Sequence, residues 1–224
     1  MTDQAPRVQL LLTGNEIMSG DTVDSNSAMI AKRLDELAIG IYRKVTVGDD
    51  PELLKEELAA MTANADLVIV NGGLGPTVDD LTAEILAAVA GVAIEEHPQA
   101  VAHLEQWCAG RNLALNAANL KQAMLPAGCS IVDNPIGSAV GFEMTINDCR
   151  VICTPGVPSE LAAMLNLIVA GLAAQREQPV EREILRLQTF GLGESSAQQI
   201  ISDNIPDWPQ EVEPVSYTHL TLPT

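Results

Sequence analysis

The chain is short of basic residues, and this shortage excludes some classes of partner. Among its 224 residues, 12 Lys and Arg stand against 30 Asp and Glu, which gives a formal net charge of −18. Because such a surface repels phosphate backbones and anionic membranes, neither nucleic acid nor a membrane is expected as a partner. A phosphorylated ligand then needs a divalent cation in order to approach. The total charge by itself favours a plainer interpretation, in which acidic residues keep the protein soluble.

Aromatic residues, histidines and paired cysteines are also scarce. Aromatics make up 3% of a chain that is 47% hydrophobic, so the core is aliphatic, which suits helices packed on a buried parallel sheet. The three histidines show no metal-ligand spacing, and no CxxC pair occurs. The cysteines are therefore predicted to be buried free thiols in a reducing compartment; they are Cys108, Cys129, Cys149 and Cys153.

Long apolar runs and a signal peptide are absent from the sequence as well. No apolar run reaches the roughly 20 residues that a membrane span needs. The segment "MTDQAPRVQLLLTG" has no basic region followed by a long apolar core. The sequence therefore predicts a soluble, cytoplasmic protein.

What the sequence does contain is a regular alternation of strand and helix patterns. Strands are predicted over residues 8–12, 41–47 and 66–70, and helices over 27–39, 50–63 and 79–91. Further helices are predicted in "HPQAVAHLEQWCAG" and "NAANLKQAMLP" and over 158–175, and strands in "SIVDN", "VGFEMTI" and "RVICTPG". The alternation predicts a three-layer α/β fold, with a mostly parallel sheet and helices on both faces.

The pattern changes after about residue 175. Residues 1–175 are predicted to form one α/β domain, and residues 176–214 the start of a second, smaller α/β module after the polar linker "QREQP". The last ten residues, "VSYTHLTLPT", continue no periodic pattern and resemble translated adaptor sequence. Residues 215–224 are therefore left out of the fold prediction.

Three turns follow predicted strands, and in an open parallel sheet such turns meet at one edge, where ligands bind. They are "TGNEIMSGDTVDSNS", "GGLGPTVDD" and "TPGVPSE". No P-loop GxxxxGK[ST], dinucleotide-binding GxGxxG or nucleophile-turn GxSxG motif occurs among them. Their convergence predicts a ligand site at that edge.

The glycine-rich second turn carries two carboxylates and no basic residue. Gly72 and Gly73 permit positive φ or close approach of a ligand to the backbone, and Thr77 offers a hydroxyl. Asp79 and Asp80 are predicted to begin a helix, where negative charge is favoured. Capping explains one of them, which leaves the other to hold Mg²⁺ or to position a water molecule.

The first and third turns each allow a structural and a functional interpretation. In the first turn, Ser25 or Asn26 can cap the following helix and point N–H groups at a ligand. Asp24 is equally consistent with capping and with function, whereas Glu16, directly after a strand, leans towards function. In the third turn, Gly156 and Glu160 belong either to an ordinary helix start or to the site.

Together with "NLKQAMLPAG" and "DNPIGSAVGF", these turns resemble the CinA family (competence/damage-inducible protein A) over residues 8–206. The resemblance implies a molybdopterin-binding-like domain, then a KH-like α/β module and often a nicotinamide-nucleotide amidase domain, of which no motif is recognised in these 224 residues. It also implies hydrolysis of the pyrophosphate of ADP-ribose with Mg²⁺ or Co²⁺, aided by K⁺. Asn15 departs from the family pattern, where Asp is frequent.

The acidic, glycine-rich edge and the resemblance together lead to a first hypothesis, a metal-dependent pyrophosphatase in which individual residues have roles. Asp79, Asp80 and Glu16 would bind metal or orient the attacking water. The phosphate or the rest of the ligand would be held by Gly72, Gly73, Gly75, Thr77, Asn26, Asn119, Lys121, Asn134, Gly156 and Glu160. The alternative is a non-catalytic module that binds a pterin or a nucleotide. In either case a homo-oligomer, a dimer or trimer, is expected.

Overall fold

The computed structural model of the protein describes residues 6–175, 188–209 and 212. Contacts divide the chain into two units, Met1–Arg182 and Glu183–Thr224. In the second unit, a helix spans Glu194–Asn204, which confirms the helix predicted in "GESSAQQIISDN". Most of the strand predicted in "REILRLQTF", and the tail over 215–224, lie outside the described residues.

The first unit is built on a six-stranded sheet. Its order is β2-β1-β3-β8-β7-β6, and β4 pairs with β5 in a separate two-stranded sheet. Strands β2, β1, β3 and β8 run parallel, whereas β7 pairs antiparallel with both β8 and β6. The prediction of a mostly parallel sheet is confirmed. The strands are β1 Val8–Thr13, β2 Ile41–Val47, β3 Leu67–Asn71, β4 Ile94–Glu96, β5 Met124–Pro126, β6 Ser130–Val132, β7 Gly141–Ile146 and β8 Cys149–Thr154.

Helices cover both faces of this sheet, which confirms the three-layer prediction. Successive residues of a strand point to opposite faces: Leu11 belongs to one apolar cluster with Leu58 and Leu104, and Leu10 to the other with Ile30 and Leu165. The helices are α1 Asn15–Ser19, α2 Asn26–Asp35, α3 Pro51–Thr62, α4 Thr82–Ala90, α5 Pro98–Ala109, α6 Ala117–Lys121, α7 Pro158–Ala174 and α8 Glu194–Asn204.

Some element boundaries differ from the sequence prediction. Asp50 caps α3 as predicted, and its side chain accepts from the Leu53 N–H at 2.9 Å. However, α4 begins at Thr82 rather than at Asp79, because residues 77–80 close a turn of their own. "NAANLKQAMLP" is a five-residue helix followed by strand β5, which pairs with β4. Long-range pairing thus overrides the helical pattern there.

The four cysteines are free and buried, as the sequence predicts. Burial raises the pKa of the Cys129 and Cys149 thiols to about 11, and it also raises the pKa of the Cys153 thiol well above its usual value. These groups therefore stay protonated and unreactive at neutral pH. Over the described ranges, no helix is both long and apolar enough to cross a membrane.

Candidate functional site

An open cavity of about 450 Å³ lies at the carboxyl ends of the parallel strands. Strand β1 lies between β2 and β3, so the chain connections leave it in opposite directions, and such a switch point is where open α/β sheets bind ligands. The three predicted turns all line this cavity, which confirms their convergence. The lining residues are Thr13, Gly14, Glu16, Asp49, Gly72, Gly73, Leu74, Gly75, Pro76, Asp79, Asp80, Gln122, Ser138, Ala139, Pro155, Gly156, Val157 and Glu160.

The charge of the cavity wall has one sign. Five carboxylates line the cavity, and the described lining residues include no Lys, Arg or His. The five are Glu16, Asp49, Asp79, Asp80 and Glu160. An anionic ligand can enter such a site only with cations that offset this charge.

The glycine turn approaches its neighbours too closely for any side chain. Gly72 and Gly73 have φ of 112° and 67°, and a Cβ on Gly72 would lie 2.5 Å from the main-chain oxygen of Thr13. The Gly72 N–H donates to the Thr154 oxygen at 2.9 Å, whereas the N–H groups of Gly73 and Gly75 donate to no acceptor among the described residues. Gly73 and Gly75, whose N–H groups have no acceptor in the described part of the chain, both line the cavity.

Asp79 and Asp80, although adjacent, have different environments. The Asp80 carboxylate accepts from the Thr77 N–H at 2.8 Å and from its hydroxyl at 2.5 Å, so it closes the turn and does not cap α4. Asp79 is exposed. The nearby Thr77 hydroxyl, the Asp79 N–H and the charge of Lys121 lower the pKa of its carboxyl. The Thr77 hydroxyl lies near both carboxylates and donates to Asp80, whereas the Asp79 carboxylate is exposed to solvent and ionised at neutral pH.

Asp49 was missed by the sequence analysis. It follows strand β2, and its carboxylate accepts from the Thr13 hydroxyl at 3.0 Å and from the Asn15 N–H at 3.1 Å. In return the Asp49 N–H donates to the Asn15 side chain at 3.2 Å. The motif "VGDD" also follows a parallel strand, so its carboxylates are expected at the same edge of the sheet. Capping of α3 accounts for Asp50 but not for Asp49.

Asn26 lies behind the cavity wall and does not line it. Its amide donates to the Asn71 side chain at 2.9 Å and to the Gly156 main-chain oxygen at 2.7 Å. Asn71 in turn donates to the Thr154 hydroxyl at 3.1 Å and to the Pro155 oxygen at 2.8 Å. This buried network joins the start of α2 to the ends of β3 and β8, and so fixes the third turn.

Asn134 likewise supports the wall from behind. It is 1% exposed and its amide donates to Glu160 and to the Ala139 oxygen, both at 2.7 Å. Its oxygen accepts from the N–H groups of Ile136 and Gly137. The side chain thereby uses its full hydrogen-bonding capacity within the protein, and it orients Glu160.

Of the predicted site residues, eight line the cavity and five do not. The eight are Glu16, Gly72, Gly73, Gly75, Asp79, Asp80, Gly156 and Glu160; the five are Asn26, Thr77, Asn119, Lys121 and Asn134. The Asn119 N–H is held by the cap residue Asn116 of α6 at 2.9 Å. The Lys121 ammonium contacts main-chain carbonyls beneath the glycine turn.

The donor set suits a hard divalent cation. Within residues 6–175, 188–209 and 212, no three His, Cys, Asp or Glu side chains are grouped so that they could hold a metal ion by themselves. Mg²⁺, however, is commonly bound through one or two carboxylates together with phosphate oxygens and water. The exposed, ionised Asp79 beside Asp80 fits that kind of site.

Comparison with known proteins identifies the family of this chain. A family model described as "Probable molybdopterin binding domain" matches residues 9–175. The chain is also 52% identical over 210 residues to a CinA-like protein of Colwellia psychrerythraea. The chain belongs to the CinA-like proteins. This alignment covers 93% of the chain and 49% of the relative.

Other relatives agree with this assignment. A CinA-like protein of Shewanella frigidimarina is 39% identical over 202 residues, covering 88% of the chain and 47% of that protein. A protein of Shewanella oneidensis named nicotinamide-nucleotide amidohydrolase PncC is 38% identical over 191 residues, covering 85% and 45%. The chain thus spans about half the length of these relatives.

Solved structures support the same fold. CinA of Thermoplasma acidophilum, described as a protein of unknown function, superposes with a TM-score of 0.69 at 32% identity, covering 75% of this chain and 98% of that one. The molybdopterin biosynthesis enzyme MoaB of Thermus thermophilus gives a TM-score of 0.52 at 18% identity over 75% and 92%. The likeness to MoaB shows that the two proteins share a fold.

Proposed function

We propose that this CinA-like domain hydrolyses the pyrophosphate of ADP-ribose or of a related nucleotide diphosphate with the help of a divalent cation. The observation that carries this proposal is the composition of the cavity wall. Main-chain N–H groups of a glycine turn, which suit phosphate oxygens, stand beside five carboxylates with no basic side chain. That combination fits a polyanion that arrives together with metal.

Different residues of the chain would bind the phosphate groups and the metal ion. The N–H groups of Gly73 and Gly75 would take phosphate oxygens. Helix α7 begins at Pro158 beside the cavity residues Gly156 and Val157, and the N-terminus of a helix favours an anion. Asp79, with Asp80, would hold Mg²⁺ or Co²⁺, which when bound neutralises phosphate charge; K⁺ is a further candidate.

The hydrolytic step needs a base and an attacking water molecule. We assign the base to Glu16, which lies at the cavity after β1 with its carboxylate folded over Gly14. The water oxygen attacks one phosphorus while Glu16 takes a water proton. The bond from that phosphorus to the bridging oxygen breaks, and the bridging oxygen leaves with the other phosphate. ADP-ribose and water would thus give AMP and ribose 5-phosphate.

Product analysis with a matched pair of variants tests this function. Wild-type protein with ADP-ribose and Mg²⁺ or Co²⁺ should release AMP, and a chelator should stop the release. Asp79→Asn should reduce kcat/KM by about 100-fold or more, the scale on which single electrostatic groups act. Glu105→Gln, the same change on the exposed side of α5, should have no effect. Absence of AMP from folded wild-type protein would refute the proposal.

A second candidate is binding without turnover, and it is favoured by the match to a probable molybdopterin binding domain. Calorimetry against molybdopterin, its adenylated form and ADP-ribose separates the two functions. Tight pterin binding without ADP-ribose binding would favour this candidate. One relative is named as a nicotinamide-nucleotide amidohydrolase. A separate assay should therefore incubate the protein with nicotinamide mononucleotide and measure the ammonia that is released.

A further inference from the structure

Lys121 lies at the end of α6, beneath the glycine turn and outside the cavity lining. Its ammonium donates to the main-chain oxygens of Thr77 and Asp80, the second at 2.9 Å. The next residue, Gln122, makes a longer contact of the same kind with the Leu74 oxygen at 3.4 Å. Two of the three N–H groups of the Lys121 ammonium therefore donate to the main chain of one turn.

These contacts add to the hydrogen bonds that close the turn over residues 77–80. The Asp80 N–H donates to the Thr77 oxygen at 3.3 Å, and the Asp80 carboxylate binds the Thr77 N–H at 2.8 Å. Across a trans peptide, a carbonyl and the following N–H point in opposite directions. Because Lys121 holds the Thr77 and Asp80 carbonyls towards itself, the N–H groups that follow them face the other way.

We propose that Lys121 is a positioning residue, which fixes the 77–80 turn so that the Asp79 carboxylate is presented to the cavity. This role differs from the direct ligand contact that the family resemblance implies, because the ammonium faces carbonyl groups beneath the turn. The predicted effect of Lys121 on catalysis rests on the proposed function. Its predicted effect on the structure of the turn is independent of that function.

Hydrogen exchange in the ligand-free protein tests the turn directly. In Lys121→Met, amides of residues 74–81 should exchange about tenfold faster or more, because two charge-assisted hydrogen bonds are lost. Lys55→Met, the same change on the exposed side of α3, should leave that segment unchanged. Lys121→Gln, whose amide is too short to bridge both carbonyls, gives a second variant. Exchange at the wild-type rate in both Lys121 variants would overturn the proposal.

Kinetics with ADP-ribose and Mg²⁺ provide the second readout. A misplaced Asp79 should lower kcat by about 10- to 100-fold with little change in KM, and Lys121→Arg should restore kcat because a guanidinium can donate to two carbonyls. A raised KM with unchanged kcat, and unchanged exchange, would identify a ligand contact instead. If the wild-type protein releases no AMP, the proposed function fails, whereas the exchange experiment still decides the role of Lys121.

Discussion

At the scale of single residues, the site depends on differences between neighbours that look alike in sequence. Asp79 and Asp80 are both acidic and adjacent, yet Asp80 is engaged by Thr77 and Asp79 faces solvent. A short polar side chain that can bond locally to the main chain does so, and thereby competes with helix capping. One carboxylate shapes the turn, and the other remains for a ligand.

Gly72 provides a prediction at this scale. Gly72→Ala forces a Cβ to within 2.5 Å of the Thr13 oxygen at a positive φ, so it should lower the free energy of unfolding by about 1–3 kcal/mol. Urea denaturation measures the change. The control is Gly171→Ala, within α7, where a Cβ would meet nothing within 4 Å; it should be neutral or stabilising by about 0.5–1 kcal/mol. Equal effects from both substitutions would contradict this account.

At the scale of elements, Asp24 joins the start of α2 to strand β2. Its carboxylate accepts from the Ser27 N–H at 2.9 Å and pairs with Lys44 at 3.1 Å. Burial raises the pKa of Asp24, but the Ser27 hydrogen bonds and Lys44 together outweigh it and lower the pKa below its usual value. The structure thus supports a structural interpretation of Asp24, because its carboxylate binds Ser27 in the first turn of α2, although the N-cap residue itself is Ser25, which makes no side-chain cap hydrogen bond.

The sign of the pH dependence follows from that lowered pKa. A carboxyl whose pKa is lower in the folded state stabilises the protein above its unfolded pKa of about 4, and this contribution disappears as the pH falls through the folded pKa. Asp24→Ala should therefore cost about 1 kcal/mol at pH 7, with a smaller difference below pH ~4. Unfolding curves at both pH values measure it. A difference that grows on acidification would contradict the assignment.

At the scale of the whole molecule, the described residues that line the cavity lie in the first unit. Its lining residues end at Glu160, the family match ends at residue 175 and the contact boundary falls after Arg182. The position of the domain boundary near residue 175 therefore has a direct test by truncation.

A chain that ends at Gln175 should keep one cooperative unfolding transition in calorimetry and the same AMP release as the longer chain. The control is a chain that ends at Asn166, which also removes the buried Ile168 and Val169 of α7. Losing two such side chains should cost several kcal/mol, about 2–5 for each large aliphatic group. Loss of the cooperative transition at Gln175 would show that later residues belong to the core.

The sequence by itself determined the layers of this protein and the edge of the sheet at which its cavity lies. Both follow from local periodicity, because apolar repeats along β1 and β3 and the helix signals at Asp50 and Pro51 depend on near neighbours. It also determined the family, through motifs whose order along the chain is specific. Eight of the thirteen predicted site residues line the cavity.

Only the tertiary structure decided which polar residues face the cavity and which support it. Asn26, Asn134 and Lys121 carry groups suited to a ligand, yet their side-chain N–H groups donate to partners distant in sequence. Asp49 enters the site because β2 pairs with β1. Residue type fixes what a side chain is able to bond, but the partner that it meets depends on contacts between distant segments, which no local pattern records.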